Sequence, residues 1–449
     1  MPTRAQEAGE SDARENVFRM VREHNVKFIE MWFTDILGYL KSFSVTAEEL
    51  ERAFEEGLGF DGSSIEGFVR IDESDMVAIP DPGTFSIIPW MPEQATARMF
   101  CDIRWPDRQP FEGDPRYVLK QNLARAAEMG FDCYVGPELE YFYFHGNEDT
   151  GLLDKGGYFD VTPPNVGSDL RRETVLLLEE MGVGVEYTHH EVAPSQHEID
   201  LRYTDALAMA DNVMTCRLAV KQVAIKHGVY ATFMPKPLAE VNGSGMHVHI
   251  SLFRGDRNTF FDKDDVYHLS KVGKCFLAGL LRHAAEITAV TDQWVNSYKR
   301  LVPGYEAPVY ITWARRNRSD LVRIPLYQPG REKSTRVELR SPDPACNPYL
   351  TFSVILAAGL EGIEKGYPLP EPTEENVFEM KPEEQRRRGI ETLPGSLVEA
   401  IHLAEKSDLV SKALGDHVFS SFIQNKKIEW DLYRTSVSDY ELKRYLPVL

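Results

Sequence analysis

The sequence predicts an α+β protein in which a small, strand-rich unit over residues 1–112 precedes a larger unit over residues 113–449. Three observations carry this. At 449 residues the chain exceeds one ordinary domain. Its early segments alternate apolar and polar residues as strands do, whereas later segments alternate long helical patterns with charge-bearing strands. Between them, "GDPRYVLK" places Asp114 ahead of Pro115, a strong helix start that opens the larger unit.

Taken in order, residues 12–25 read as a helix with Val17, Val21 and His24 on one side. "VKFIEMWFTDILGYLKSFSVT" reads as two strands around a turn near Asp35–Gly38. "TAEELERAFEEG" is a helix with a threonine cap and an acidic first turn, closed by Gly57. "PWMPEQATARMFCDIRWP" adds further strand. Beyond the helix at Pro115, "SDLRRETVLLLEEMG" and "DALAMADNVMTCRLAVKQVAIKHG" are helices. "YPLPEPTEENVFEMKPEEQ", rich in Pro and Glu, is expected to be an exposed surface segment. No internal repeat or low-complexity tract is evident.

Composition narrows the function classes. A hydrophobic share of 43% and a charged share of 27% are ordinary for a globular core. The net charge of −20 argues against general affinity for nucleic acid or anionic membranes. Five well-separated cysteines without a CxxC fit no zinc site and read as buried thiols in a reducing compartment. "MPTRAQEAGESDAREN" has no apolar leader core, and "YLTFSVILAAGL" is too short to span a bilayer. The chain is therefore expected to be soluble and cytoplasmic.

The chemistry concentrates in paired residues on strands. In "NGSGMHVHIS", His247 and His249 stand two apart and share one strand face. They are either ordinary histidines near a sheet edge or metal ligands. "GPELEYFYF" does the same with Glu138 and Glu140, and "RVELRSPDP" with Arg336, Glu338 and Arg340. "HHEVAPSQHEID" adds His190, Glu191 and Glu198. Flanking Tyr141, Phe142, Val248 and Val337 suggest that one sheet face is core and the other chemistry. Several carboxylates on one face repel unless cations neutralise them, and many Glu with few His favour hard divalent metals. Residues 299–340 hold ten Lys or Arg against four Asp or Glu. That is either a solvated surface or a phosphate clamp, since arginine forks match phosphate oxygens. No Walker-type or GxGxxG motif is present, so any nucleotide site is of another kind. "FDGSSIEGF" is a turn, and "KRLVPGYEAPVY" a loop with Glu306 at its tip.

Together, "FDGSSIEGF", "GPELEYFYF", "HHEVAPSQHEID", "FMPKPLAEVNGSGMHVHIS", "YKRLVPGYEAPVYITWARRNRS" and "RVELRSPDPACNPYL" resemble type I glutamine synthetase in order and spacing over nearly the whole chain. The resemblance implies an N-terminal β-grasp domain and a C-terminal catalytic domain on a curved antiparallel sheet. It implies a homododecamer of two stacked hexameric rings, each active site lying between neighbouring subunits. It implies ATP as substrate and two divalent cations, Mg²⁺ or Mn²⁺. One metal would be held by Glu138, His247 and Glu338, the other by Glu140, Glu191 and Glu198. His249, Arg318, Arg323 and Arg340 would meet the phosphates and transferred phosphoryl group, and Glu186, Tyr203, Ser251, Lys333 and Arg336 the rest of the nucleotide. Asn242, Gly243 and Arg300 would hold glutamate. Asp61, Ser64, Tyr158 and Glu191 would form the ammonium pocket, closed by the Glu306 flap.

The implied reaction is ATP-dependent ligation of ammonia to the γ-carboxylate of glutamate through γ-glutamyl phosphate, with Asp61 as base. The alternative is a relative that joins glutamate to a polyamine or another amine. Phe378 stands where an adenylylated tyrosine occurs in some members, so that switch is expected to be absent. "SSIEGFVRIDESDM" instead resembles a subgroup inhibited by glutamine, in which the residue at Arg70 relays product binding. A regulatory protein partner is a further expectation.

Overall fold

"FIEMWFT" buries Ile29, Met31, Trp32 and Phe33, and this strand, β1 (Phe28–Thr34), is the spine of the first of two sheets. The computed structural model describes residues 4–67, 75–161, 166–303, 307–315, 317 and 320–449. Around β1 stand β2 (Leu40–Thr46), β3 (Leu58–Asp61), β4 (Asp75–Pro80), β5 (Ser86–Ile87) and β6 (Thr96–Arg104). The order is β2-β1-β6-β4-β3, with β5 on β6; β1 and β6 run parallel and the other pairs antiparallel. Helices α1 (Arg4–Glu23) and α2 (Leu50–Glu55) belong to the same unit. Val17 and Phe18 of α1 join its core, but His24 lies past the helix end and is exposed, not on the Val17 side as expected. Thr46 makes no side-chain cap; a 3₁₀ turn over Ala47–Glu49 comes first, and α2 follows it.

The second sheet contains β7 (Asp132–Phe144), β8 (Val185–His190), β9 (Gln196–Leu201), β10 (Thr204–Asp205), β11 (Tyr230–Thr232), β12 (Met246–Arg254), β13 (Arg257–Asn258), β14 (Tyr310–Ala314), β15 (Asp320–Arg323) and β16 (Val337–Leu339). Its main order among the described residues is β14-β15-β16-β12-β7-β9-β8. All pairs are antiparallel except β14 with β15, a departure from the expected antiparallel sheet at its edge. Leu139, Tyr141, Val248, Ile250, Ile199, Val337 and Leu339 are buried in one core with the helices. Those helices include α3 (Pro115–Glu128), α4 (Val166–Glu180), α5 (Ala206–Lys226), α6 (Lys271–Thr291), α7 (Ser297–Arg300) and α8 (Pro348–Lys365). Because strand side chains alternate, the acidic residues between these apolar ones face the other way.

Polar ties join the two units. Asp114 caps α3 by accepting from Arg116 N at 2.9 Å, and its other oxygen accepts from Ile103 N at 3.0 Å on β6. The buried Arg116 guanidinium meets Asp81, Asp102 and Asp211. Asn347 caps α8 and also donates to Asp35 O at 3.0 Å, fixing the turn after β1. The Pro- and Glu-rich segment is only half exposed, its other described residues being partly buried and Val377 fully so. All five cysteines are buried and unbonded to one another. Among the described residues, no helix is long and apolar enough to cross a membrane.

Candidate active site

The open face of the second sheet carries two adjoining cavities that share Glu138. Strand register sets this up. His247 on β12 pairs with Glu138 on β7, His249 on β12 pairs with Glu338 on β16, and Glu140 on β7 pairs with Glu198 on β9. Four neighbouring strands thus bring acidic and imidazole groups from distant parts of the sequence onto one surface.

The first cavity gathers Glu186, Tyr203, His249, Ser251, Lys333 and Arg336, six of the residues expected around a nucleotide. Gly136 lies on its floor; a Cβ there would sit 3.2 Å from Tyr203 Cβ, so the missing side chain lets Tyr203 pack close. Arg336 Nε donates to His249 Nδ1 at 3.1 Å, and His249 Nε2 lies 2.6 Å from Glu138 Oε1.

The second cavity gathers Glu138, Glu140, Tyr158, Glu191, Glu198, Asn242, Gly243, His247, Arg300, Arg323, Glu338 and Arg340. Donor atoms of Glu138, His247 and Glu338 lie within 4.8 Å of one another, and so do those of His189, Glu191 and Glu198. Glu140 lines the same cavity outside the second trio; its Oε2 accepts from Gly245 N and Gln196 Nε2, each at 2.9 Å. Burial, then the nearby Glu191, pushes Glu140 up to about 8. Burial, with Asp200, Glu140 and Glu138 adding repulsion, holds Glu198 well above the usual carboxylate range. Glu138 goes the other way: burial would raise it, but His249 and hydrogen bonds from both histidines hold it well below. Glu338 is likewise lowered against its burial by electrostatic attraction to His249, Arg323 and His247. His189 Nδ1 and Glu338 Oε1 are buried without a hydrogen-bond partner among the described residues. Crowded carboxylates with one imidazole per trio and unfilled donor atoms suit hard divalent cations.

The cationic side is equally built. Arg323 Nε bonds Glu338, and Arg340 Nε lies 3.3 Å from Glu338 Oε1. Arg300 is buried; its guanidinium donates to the carbonyls of Ser341 and, at 3.1 Å, Arg340. A Cβ at Gly243 would lie 2.4 Å from Pro235 O and 3.1 Å from Arg300 Cγ, so only glycine lets this turn approach the arginine.

Asp61 ends β3 and Ser64 lies in the 3₁₀ turn after it, and neither lines either cavity. Asp61 is exposed and accepts from Ser63 N at 2.9 Å, which lowers its carboxyl. Arg70, Glu306 and Arg318 lie outside the described residues. His190 is a correction: β8 turns it away from the cavity, onto Asp154, and presents His189 and Tyr187 instead. Asp200 also lines the first cavity and was missed, although Glu198 and Asp200 repeat the alternation of Glu138 and Glu140. Burial and then Glu138 push Asp200 up to about 6.

Comparison with known proteins agrees with this geometry. The family model "Glutamine synthetase, catalytic domain" matches residues 112–445, and "Glutamine synthetase, beta-Grasp domain" matches residues 25–106. A glutamine synthetase of Mycolicibacterium smegmatis is 55% identical over 440 residues, covering 96% of this chain and 99% of its own. One of Thermotoga maritima is 51% identical over 437 residues, covering 96% and 99%. The solved structure "GmaS/ADP complex-Conformation 1" superposes with a TM-score of 0.87 at 32% identity, covering 96% of this chain and 99% of that one. The smaller sheet therefore belongs to a β-grasp domain and the larger to a catalytic one.

Proposed function

This chain belongs to the glutamine synthetase family, and from that premise we propose how its site divides the work. The enzyme is a ligase that uses ATP to join ammonia to the γ-carboxylate of L-glutamate, giving glutamine, ADP and phosphate. The observation that carries the division of labour is the shared wall at Glu138 between the two cavities. ATP occupies the first and glutamate the second, so the γ-phosphate and γ-carboxylate meet beside that wall.

A carboxylate is a poor acyl donor because oxide is a poor leaving group. Phosphorylation gives γ-glutamyl phosphate, from which phosphate can leave. Glu186, Tyr203, Ser251, Lys333 and Arg336 hold the nucleotide, and His249 and Arg323 reach its phosphates. Arg340, with Arg318 assigned by sequence alone, compensates charge on the transferred group. Arg300 binds the α-carboxylate of glutamate, beside the turn at Asn242 and Gly243. Two divalent cations, Mg²⁺ or Mn²⁺, would be held by Glu138, His247 and Glu338 and by Glu191 and Glu198 with Glu140 beside them. When bound, they neutralise charge on the phosphates and carboxylates.

Tyr158 and Glu191 supply this subunit's part of an ammonium pocket. Asp61 and Ser64 come from a neighbouring subunit, which is consistent with their standing outside both cavities here. Asp61 removes a proton from ammonium, and ammonia attacks the acyl phosphate. Glu306 closes the pocket against water. The assembly is a cytoplasmic dodecamer of two hexameric rings, with the domain boundary between residues 112 and 113. Arg70 relays feedback by glutamine, while Phe378 offers no hydroxyl for adenylylation.

Glutamate-dependent phosphate release from ATP, measured with ammonium, methylamine, ethylamine and putrescine in turn, tests the acceptor. Ammonium is expected to support the highest kcat/KM. A larger amine outperforming it would move the assignment to a γ-glutamyl-amine ligase.

A further inference from the structure

Behind the ammonium pocket lies a polar cluster that the reaction does not use directly: Asp154, His190, Ser195, His197 and Arg171. Three donors converge on Asp154 Oδ1: His190 Nε2 at 2.8 Å, Gly156 N at 3.0 Å and Ser195 N at 3.1 Å. Asp154 N in turn donates to Ser195 Oγ at 3.0 Å. One carboxylate therefore joins loop 151–161, the end of β8 and the turn before β9.

That loop carries Tyr158. Phe159 N donates to His190 O at 3.0 Å, and the Phe159 ring stacks on His189 at 4.5 Å with 13° between planes. Tyr158 meets the same His189 edge-on at 5.4 Å. His189 Nε2 lies 2.9 Å from Glu191 Oε1, and His190 Nδ1 lies 2.7 Å from Glu191 O. Phe159 has φ +61° and Ser195 φ +62°, left-handed conformations that bulky residues hold only where their surroundings over-determine them. The loop is also seated without clearance: a Cβ on Gly156 would lie 2.7 Å from His190 Nε2.

Asp154, His190 and His197 are close enough together to hold a cation, but the donor chemistry argues against one. Arg171 sits against His197 Nδ1 and can only donate, so neutral His197 carries its proton on Nε2, facing Asp154 Oδ2 at 3.4 Å. That leaves His197 no lone pair for a metal.

We propose that Asp154 is a positioning residue for ammonium: it clamps the Tyr158 loop to the strand end that carries Glu191. This rests on the ammonium role given above to Tyr158 and Glu191. The clamp fixes where Tyr158 stands; Glu191, also a proposed cation ligand, keeps its own anchor through its N–H to Gln196 O at 2.8 Å, and the clamp touches neither the nucleotide cavity nor Arg300. Its loss should therefore be felt by one substrate of three.

The test is steady-state kinetics of Asp154→Ala with each substrate varied in turn. KM for ammonium is expected to rise about tenfold. KM for ATP and for glutamate should each move by less than about twofold, with kcat falling less than KM for ammonium rises. Asp154→Asn keeps an acceptor oxygen for the converging donors and should give a smaller rise. Gly156→Ala pushes the same loop off His190 while keeping the Asp154 carboxylate and should reproduce the ammonium-specific change, including if Asp154→Ala folds poorly. All three KM values moving together, or none moving, in the folded variants would overturn the clamp. Tyr158→Phe separates the two layers of the argument. If it raises KM for ammonium while the Asp154 and Gly156 variants do not, only the clamp falls. If Tyr158→Phe leaves ammonium use unchanged, the assignment of Tyr158 falls and takes the clamp with it.

Discussion

At the residue scale, the site's economy is the concentration of buried acid around two imidazoles. Each donor trio would bind a cation through few ligands, so losing one carboxylate would leave a dication poorly compensated. Glu338→Ala or His247→Ala should weaken one site at least about tenfold and spare the other, with Glu198→Ala doing the reverse. Calorimetric Mn²⁺ titration distinguishes them, and identical two-site isotherms for all variants would contradict the assignment. A different residue carries a pH signature. Lys426 is buried 4.0 Å over the Trp294 ring and donates to Gln293 O at 3.1 Å. Burial pushes it down to about 8, against the pull of Glu429. An unfolded lysine titrates near 10.4, so between about pH 8 and 10.4 the unfolded chain holds a proton that the folded one does not. Stability from this group should rise across that window, by about 2–3 kcal/mol, and its cost is fully present below it. Urea unfolding at several pH values should show Lys426→Met losing that rise; an unchanged slope would refute it. Most of the site's residue types were legible in sequence because alternation marks a strand face. His189 was not: "HH" gives no hint of which histidine faces the chemistry until the strand's phase is known, and Asp200 was hidden by the same ambiguity.

At the element scale, register does what no single residue can. The pairings of His247 with Glu138 and of Glu140 with Glu198 assemble the acidic face, and a one-residue slip of β12 would send both histidines into the core. The strands themselves were visible in sequence, but their pairing was not, because β16 and β12 are joined only through long-range contacts. Behind them, α6 and α8 pack at glycines. A Cβ at Gly362 would lie 2.1 Å from Cys275 O, and one at Gly279 would lie 2.1 Å from Ala358 O. Gly362→Ala must therefore push two helix backbones apart. It should cost about 1–3 kcal/mol despite alanine's better helix propensity, measured by urea unfolding. A stabilised variant would show that the helices separate freely.

At the scale of the whole molecule, one arginine gathers carboxylates from both units. Arg116, at the start of α3, is flanked by Asp81 and Asp102 from the first unit and Asp211 from the second. Arg116→Met leaves Asp81 and Asp211 without this cation, while Lys120 still pairs with Asp102 at 2.5 Å, and should cost about 3–5 kcal/mol in urea unfolding. The position of Asp61 outside both cavities leads to the assembly. Mixing Asp61→Ala with Glu338→Ala subunits should restore part of the activity in mixed rings, since some interfaces then combine two intact halves. No recovery in demonstrably mixed rings would contradict a shared site. A half-site completed by another subunit would be invisible to strand patterning, because its residues would meet only between chains. The central claim is that glutamate is phosphorylated beside Glu138 before ammonia arrives. Glutamate labelled with ¹⁸O in its γ-carboxylate, turned over with ATP and ammonium, tests this directly by mass spectrometry of the released phosphate. One ¹⁸O atom should appear in phosphate for each glutamine formed; phosphate free of label would contradict the account.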